Sequence, residues 1–360
     1  MKQIEDMKKL RDEIDKIDEE ILRLLNDRSE IALEIGEIKK IHNLEYYNPQ
    51  REKEIIERLQ KLNKGRFPNN TLKIIFKEIF CASLTLEQPV CVAYLGPQAT
   101  FTHLAAIRYF SSSCKFLSSS SIREVFETVE ANKANFGVVP IENSTEGIVT
   151  YTIDMFIDFN LKISGEVLLE IEHHLLSKEK EQADIKKIYS HPQPTAQCRL
   201  WLEKNMLGIP IYETPSTSQA ANLAANEPNS AAIGSELAAK QYDLNIIERN
   251  IESYKDNITR FLVISKEEQE RTGKDKTSIM FNVKDEPGTL HEILTPFKKA
   301  NINLTKIESR PSKKKAWDYV FFADIEGHIE DKKVKKALEG IAKRCTYLKI
   351  LGSYHSIEKP

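Results

Sequence analysis

The sequence has no run of apolar residues approaching the roughly 20 that a membrane-spanning helix requires. Its N-terminus is charged from Lys2 onward and lacks an apolar core, which predicts no signal peptide and a cytoplasmic location. Neither sign of charge dominates. Against 54 aspartates and glutamates stand 52 lysines and arginines, a formal net charge of −2, so no basic field points to nucleic acid. Cysteine is scarce: five residues, odd in number and scattered, with no C-x-x-C pair. That excludes a disulfide framework and a cysteine zinc site and suits reduced thiols. The histidines carry no metal signal. His173 and His174 are neighbours in an extended stretch and face opposite ways. His191 reads as structural. No metal and no cofactor are implied.

What is present is the composition of a globular protein, 41% hydrophobic and 29% charged, in 360 residues. That length exceeds one ordinary core and predicts a multidomain chain. Three patterns divide it, at residues 1–89, 90–267 and 276–355.

The first segment reads as all helix. Met7, Leu10, Ile14, Ile17, Ile21, Leu24, Ile31, Ile35 and Ile38 repeat alternately by three and four, the seam of a helix packed on other helices. Arg28 interrupts that seam. Either it fixes helix register, or it is a cation awaiting an anionic ligand inside a bundle. The first helix is predicted from about Ile4 to Lys40. A second starts at Asn48-Pro49, an N-cap followed by proline at the first helical position, and stops at Gly65. A third starts near Asn70 and ends at Pro89. These helices are too few to cover a first helix roughly 55 Å long, so an intertwined dimer is expected.

From Val90 short apolar runs alternate with helical stretches, as in CVAYLG, FGVVPI, KKIYSH, IPIYE, SAAIG and RFLVIS, predicting an α/β domain with a largely parallel sheet. It ends at a charged stretch, KEEQERTGKDK, read as a linker. The third segment follows the order βαββαβ, a ferredoxin-like α+β layout of regulatory size.

In the helical segment Arg11, Arg28, Lys39 and Arg51 are spaced so that two antiparallel copies would ring a pocket with cations, suited to a small dicarboxylate. Ser83 and Glu87 share one face of the third helix. With N-P-Q-R-E around Arg51 and Glu52, this spacing resembles the all-helical chorismate mutases. The resemblance implies that Arg11, Arg28, Lys39, Asn48, Arg51, Glu52, Ser83 and Glu87 bind chorismate, and that Lys39 and Glu87 assist its rearrangement to prephenate. Such a reaction needs no covalent step, only a compact conformer and stabilised charge. Asn48 replaces the aspartate of many relatives. Glu87 replaces a glutamine, and a carboxyl group donates to the ether oxygen only in its neutral form, which burial favours.

In the α/β segment YLGPQATFTH places Thr100 and Thr102 at a helix start, VVPIENSTEG ends a buried strand in Glu142, Asn143 and Ser144, and KDNITRF leads into Thr259, Arg260 and Phe261. SHPQPTAQC and STSQAANLA, the latter with Ser218, are further strand-to-helix junctions. Ligands of open α/β sheets sit beyond such strand ends. Together the five stretches resemble prephenate dehydratase. The implied fold is two α/β subdomains with the site between them, like a type II periplasmic binding protein. The implied reaction is loss of CO₂ and water from prephenate to give phenylpyruvate. The resemblance gives Thr259 the proton for the leaving hydroxyl. It implies that Glu142, Asn143, Ser144 and Ser218 orient substrate and threonine. Arg260 either anchors a carboxylate or makes a salt bridge elsewhere. Ala99 stands where relatives have glycine, a departure that matters if φ there is positive; Pro194 also departs.

In the third segment P-G-T-L (Pro287, Gly288, Thr289, Leu290) and E-S-R-P (Glu308, Ser309, Arg310, Pro311) resemble the ACT domain. That implies L-phenylalanine bound beside both motifs as a feedback inhibitor, with Thr289 in place of the usual alanine. The expected whole is a cytoplasmic, homo-oligomeric enzyme of phenylalanine biosynthesis acting on chorismate and prephenate, without nucleic-acid or membrane partners. The alternatives are a ligand sensor with inactive sites and a coiled-coil DNA-binding regulator. The catalytic set argues against the first and the near-neutral charge against the second.

Overall fold

A computed structural model describes residues 2–42, 49–87, 90–110, 114–254, 256–284, 286–311 and 319–357; at 2–4, 49 and 50 only the backbone is described. It divides into two compact units, residues 1–90 with 110–115, and residues 91–109 with 116–360.

The first unit is three helices, α1 (Lys2–His42), α2 (Pro49–Leu62) and α3 (Asn69–Glu87). Proline opens α2 as expected, while Asn48 lies outside the described residues. Lysines and a histidine close α1, where cations complement the helix dipole. α3 packs on both other helices, burying Ile56, Phe80, Cys81 and Leu84. Gly36 lets α1 and α3 approach closely, because a Cβ there would lie 3.0 Å from the Glu87 side chain and press it aside. The seam of α1 is otherwise bare: Leu10 is 60% exposed, Ile17 57% and Ile31 58%.

The second unit begins with β1 (Cys91–Leu95), α4 (Phe101–Phe110), β2 (Lys115–Ser119), α5 (Ile122–Glu130), β3 (Phe136–Asn143), β4 (Gly147–Ile148), α6 (Thr150–Asp158) and β5 (Lys162–Glu170). A second layer follows with β6 (His174–Ser177), β7 (Lys187–Ser190), α7 (Pro192–Gln197), α8 (Arg199–Asn205), β8 (Ile211–Glu213), α9 (Thr217–Asn226), β9 (Ser230–Gly234), α10 (Glu236–Gln241) and β10 (Asn245–Glu248). The chain then returns in β11 (Ile258–Ser265). One sheet has the order β2-β1-β3-β11-β5, with β4 on β3, and the other β10-β6-β9-β7-β8. The expectation of a largely parallel sheet is corrected here: β11 runs antiparallel to both β3 and β5, and β6 antiparallel to β9 and β10. The reason is the double crossing between sheets. The chain leaves by β5 and comes back along β11, and the two crossings lie side by side, with Ile171 N bonded to Asn257 O and Ile251 N to His173 O, each at 2.8 Å.

The charged stretch after β11 is not a free linker, since Thr272 and Gly273 wrap the carboxylate of Asp275 and Arg271 pairs with Asp331. The C-terminal layer is β12 (Asp275–Asn282), α11 (Thr289–Lys299), β13 (Leu304–Pro311), β14 (Tyr319–Glu326), α12 (Lys332–Ala342) and β15 (Tyr347–His355), an antiparallel sheet ordered β13-β14-β12-β15. Strand alternation gives it two buried faces. Ile279, Phe281, Ala323 and Ile325 pack under α11 and α12. Met280, Phe322, Leu351 and Tyr354 join Ile163, Leu262 and Ile264 of the first sheet in one core. Gly352 allows that approach, because a Cβ there would fall 2.2 Å from Ile163 O.

Candidate active sites

In the helical unit Arg28 donates through Nη1 to Ser83 Oγ, and its guanidinium lies over the Phe80 ring, 5.4 Å from the centroid. One turn along α3, Glu87 is ion-paired with Lys39 of α1 at 3.1 Å. Burial lowers the Arg28 pKa, and Glu87 and Glu52 pull it back up. Burial pushes the Glu52 carboxyl up to about 7, against the nearby cations Lys77 and Arg28. The three helices thus bring Arg28, Lys39, Glu52, Ser83 and Glu87 into one neighbourhood. Arg11 and Arg51 are exposed, Arg51 facing Glu54 at 3.4 Å.

In the second unit the decisive position is the start of β11, just after the crossing from the second sheet. Thr259 and Asn143 are register partners on β11 and β3. Asn143 Nδ2 donates to Thr259 Oγ1 at 2.8 Å and to Asn257 Oδ1 at 2.7 Å. The amide cannot be turned round. Its Oδ1 accepts from the backbone N–H groups of Thr145 (2.9 Å) and Glu146 (3.1 Å), which are donors only. Thr259 Oγ1 is therefore an acceptor toward Asn143, and its own hydrogen is left to be given elsewhere.

The network continues. Asn257 Nδ2 donates to Gln197 Oε1 at 3.2 Å, and Gln197 Nε2 to Glu146 at 2.9 Å. With Gln197 so oriented, His173 Nε2, 2.7 Å from the same Oε1, carries the hydrogen. Burial depresses the His173 pKa, so the ring is neutral near pH 7. Ser144 Oγ bonds Asp256 O and Ile258 N, bracing the segment that delivers Thr259. Asn257, Gln197, His173 and Glu146 were missed by sequence reasoning. Asn257 and Gln197 stand inside the quoted stretches KDNITRF and SHPQPTAQC, which was the available signal.

The other expected residues fall at different places. Glu142 does not stand with Asn143. Strand alternation turns it to the opposite face, where its carboxylate pairs with Lys306 of β13 at 2.6 Å. Arg260 is turned away likewise, and of its two expected roles it takes the salt bridge. It is buried, with Nε on Glu166 (2.7 Å), Nη1 on Asp324 (2.6 Å) and Nη2 on Tyr354 (2.9 Å). Burial works against its charge, but Tyr354, Asp324 and Glu166 hold the pKa well above the ordinary value. Ser218 is buried on α9 and bonded to Tyr242 Oη at 2.8 Å, and Phe261 is buried. Thr100 caps the start of α4, accepting from His103 N, and Thr102 is buried beneath it. Ala99 has φ +66°, a left-handed conformation that a glycine would adopt without strain. His191 caps α7 and Pro194 is buried within it.

On the C-terminal sheet Gly288 has φ +87° at the head of α11, and Thr289 Oγ1 donates to Glu286 O at 2.9 Å. Leu290 and Pro311 are exposed. Alternation splits the second motif. Ser309 lies opposite Phe321 on the helix-covered side, while Glu308 and Arg310 lie opposite Phe322 and Val320 on the side facing the first sheet. Arg310 meets both oxygens of Asp154 there, at 3.1 and 3.2 Å.

Comparison with known proteins accounts for this arrangement. A bifunctional chorismate mutase/prephenate dehydratase of Aquifex aeolicus is 52% identical over 355 residues, 98% of each chain. The chain belongs to the bifunctional chorismate mutase/prephenate dehydratase family. The family profile for chorismate mutase type II matches residues 10–88, that for prephenate dehydratase 92–269 and that for the ACT domain 277–343. A bifunctional relative from Pseudomonas aeruginosa is 43% identical over 354 residues, 97% of each chain. Among solved structures, a prephenate dehydratase from Arthrobacter aurescens in complex with L-Phe superposes with a TM-score of 0.68 at 35% identity, covering 74% of this chain and 90% of that one. The chain is thus a chorismate mutase and a prephenate dehydratase of phenylalanine biosynthesis, with an ACT domain behind them. No helix among the described residues is long and apolar enough to cross a membrane.

Proposed function

We propose that Thr259 is the proton donor of the dehydratase and that Asn143 aims it. The observation that carries this is the fixed direction of the Asn143–Thr259 hydrogen bond. As the carbon–carboxylate bond of prephenate breaks, its electron pair moves into the ring and the ring hydroxyl departs. Hydroxide is a poor leaving group, so a proton must reach that oxygen as the bond breaks. A threonine whose oxygen already accepts from Asn143 has its hydrogen free to point at the leaving oxygen. Water then reprotonates the threonine. Ser144 and Asn257 hold the geometry, and Thr100, Thr102 and Ser218 shape the helix starts around it. The two subdomains joined by two crossings fit a type II periplasmic-binding-protein-like arrangement with substrate between the sheets.

In the helical unit Arg28 binds a carboxylate of chorismate, with Ser83 holding the guanidinium. Lys39 supplies positive charge to the ether oxygen, and Glu87 positions Lys39. Glu52 completes the wall beside Arg28, and Asn48, outside the described residues, is kept as a substrate-binding residue. Arg11 completes the pocket from a second copy laid on the exposed seam of α1, and Arg51 adds a cation beside Glu52. The homodimer, or a higher oligomer built on it, is therefore the working form. L-phenylalanine binds beside Gly288, Thr289, Leu290 and the Glu308–Pro311 strand of the ferredoxin-like layer and inhibits the dehydratase. A cytoplasmic location suits five cysteines, odd in number and with no C-x-x-C pair.

The test is one assay on purified protein: chorismate is supplied, and its loss and phenylpyruvate formation are followed with and without L-phenylalanine. Both signals, with the second suppressed by L-phenylalanine, are expected. Failure to convert added prephenate would reject the role of Thr259 and favour a sensing protein.

A further inference from the structure

Behind the dehydratase site lies a second set of charges. Glu142 and Arg260 are register partners on β3 and β11, immediately beside the partners Asn143 and Thr259. Alternation sends the two pairs to opposite faces. On the far face they meet Lys306 and Asp324, which are themselves register partners on β13 and β14. Glu142 joins Lys306 at 2.6 Å and Arg260 joins Asp324 at 2.6 Å, so two strand pairs are tied corner to corner. Glu166 links Arg260 (2.7 Å) to Lys276 (2.9 Å), and Ser278 bonds Asp324 (2.5 Å) and Tyr354 (2.7 Å). The cations Arg260, Lys276 and Lys306 balance the anions Glu142, Glu166 and Asp324. Arg260, Asp324 and Glu166 are buried, so each depends on its partner. The β3–β11 register also shifts directly after Arg260.

Strand β13 has its other face elsewhere. Ile307 and Ser309 lie opposite Ala323 and Phe321, which pack in the core under α11, the helix headed by Gly288. One strand therefore turns Ile307 and Ser309 to one side and, through Lys306 and Arg310, grips Glu142 and Asp154 on the other.

We propose that Lys306 and Asp324 are positioning residues of the dehydratase, acting through Glu142 and Arg260 on Asn143 and Thr259, and that L-phenylalanine inhibits by altering this grip. The inference rests on the dehydratase and effector readings above. An effector bound to the helix-side face of β13 changes the strand's set against the first sheet. The four-charge contact converts that into a change in the angle at which Thr259 meets the leaving oxygen.

The test uses the full-length protein and a double-mutant cycle of Glu142→Gln, Lys306→Gln and both together, with Lys306→Arg as the conservative variant. Chorismate turnover in the same preparations and a thermal melt report intact folding. Each single change is expected to lower the dehydratase kcat on the order of tenfold with little change in KM. The double variant should be no worse than either single one, and Lys306→Arg should retain most activity. Equilibrium dialysis with labelled L-phenylalanine should show binding to Lys306→Gln, while inhibition at saturation falls well below that of the parent. Losses that multiply in the double variant, an unchanged kcat or a KM effect alone would overturn the positioning role. Full inhibition of Lys306→Gln would overturn the coupling. A parent protein that fails to convert prephenate would instead reject the dehydratase reading itself.

Discussion

Asn143 Nδ2 stands 2.8 Å from Thr259 Oγ1, and two backbone N–H groups on the other end of the amide leave it no orientation but donor. The hydroxyl hydrogen is thereby committed away from Asn143. Thr259→Val keeps the volume and removes the proton. It is expected to cost the dehydratase roughly 10²- to 10⁴-fold in kcat, while chorismate turnover stays at the parent level. Asn143→Asp keeps the shape but presents only acceptors, so Thr259 would turn its hydrogen inward. A loss in the same direction is expected, read by steady-state kinetics on prephenate. Parent-like kcat in Thr259→Val would remove the threonine from the proton path.

Arg28 interrupts an apolar seam, and its two readings separate cleanly by experiment. As a ligand for a carboxylate, it is held in place at a cost to stability. Arg28→Met should then abolish mutase turnover, leave prephenate turnover intact and raise the melting temperature of the helical unit, because an apolar residue fits the seam without desolvating a charge. As a register device, Arg28→Met would change the oligomeric state instead. Light scattering alongside the melt decides between them. Arg28→Lys should also lose most mutase activity, since a point charge does not reproduce the guanidinium fork.

The helices of the first unit were legible because their period persists over many turns and Pro49 marks a start. A positive φ at Ala99 was legible as a possibility, because a glycine suits that conformation without strain. The mixed sheet was not legible. β11 pairs with β3 more than a hundred residues away, and nothing in RFLVIS records the direction of its neighbours. Glu142 was within reach of sequence reasoning. E-N-S lies at the end of a strand, so alternation alone should have separated Glu142 from Asn143, and likewise Arg260 from Thr259. The wider network was out of reach, because Gln197, Asn257 and His173 meet only when two crossings are laid side by side.

Glu52 gives the helical unit a pH dependence of definite sign. Burial raises its carboxyl pKa from 4.5 to about 7, with Lys77 and Arg28 opposing that shift and Cys81 adding to it. In the unfolded chain the group returns to its ordinary value. The folded state therefore holds the proton more tightly, and stability must fall as pH rises through the interval between the two values. The contribution is complete below about 4.5 and lost above about 7. For a partly exposed side chain it amounts to roughly 2 kcal/mol. Thermal melts of the helical unit should show a midpoint that declines across this window in the parent protein. Glu52→Gln, neutral at every pH, should be flatter there and more stable than the parent above pH 7. A parent curve as flat as that of Glu52→Gln would mean that the carboxyl ionises at its ordinary value. Arg28 and Lys77 would then be compensating its burial in full.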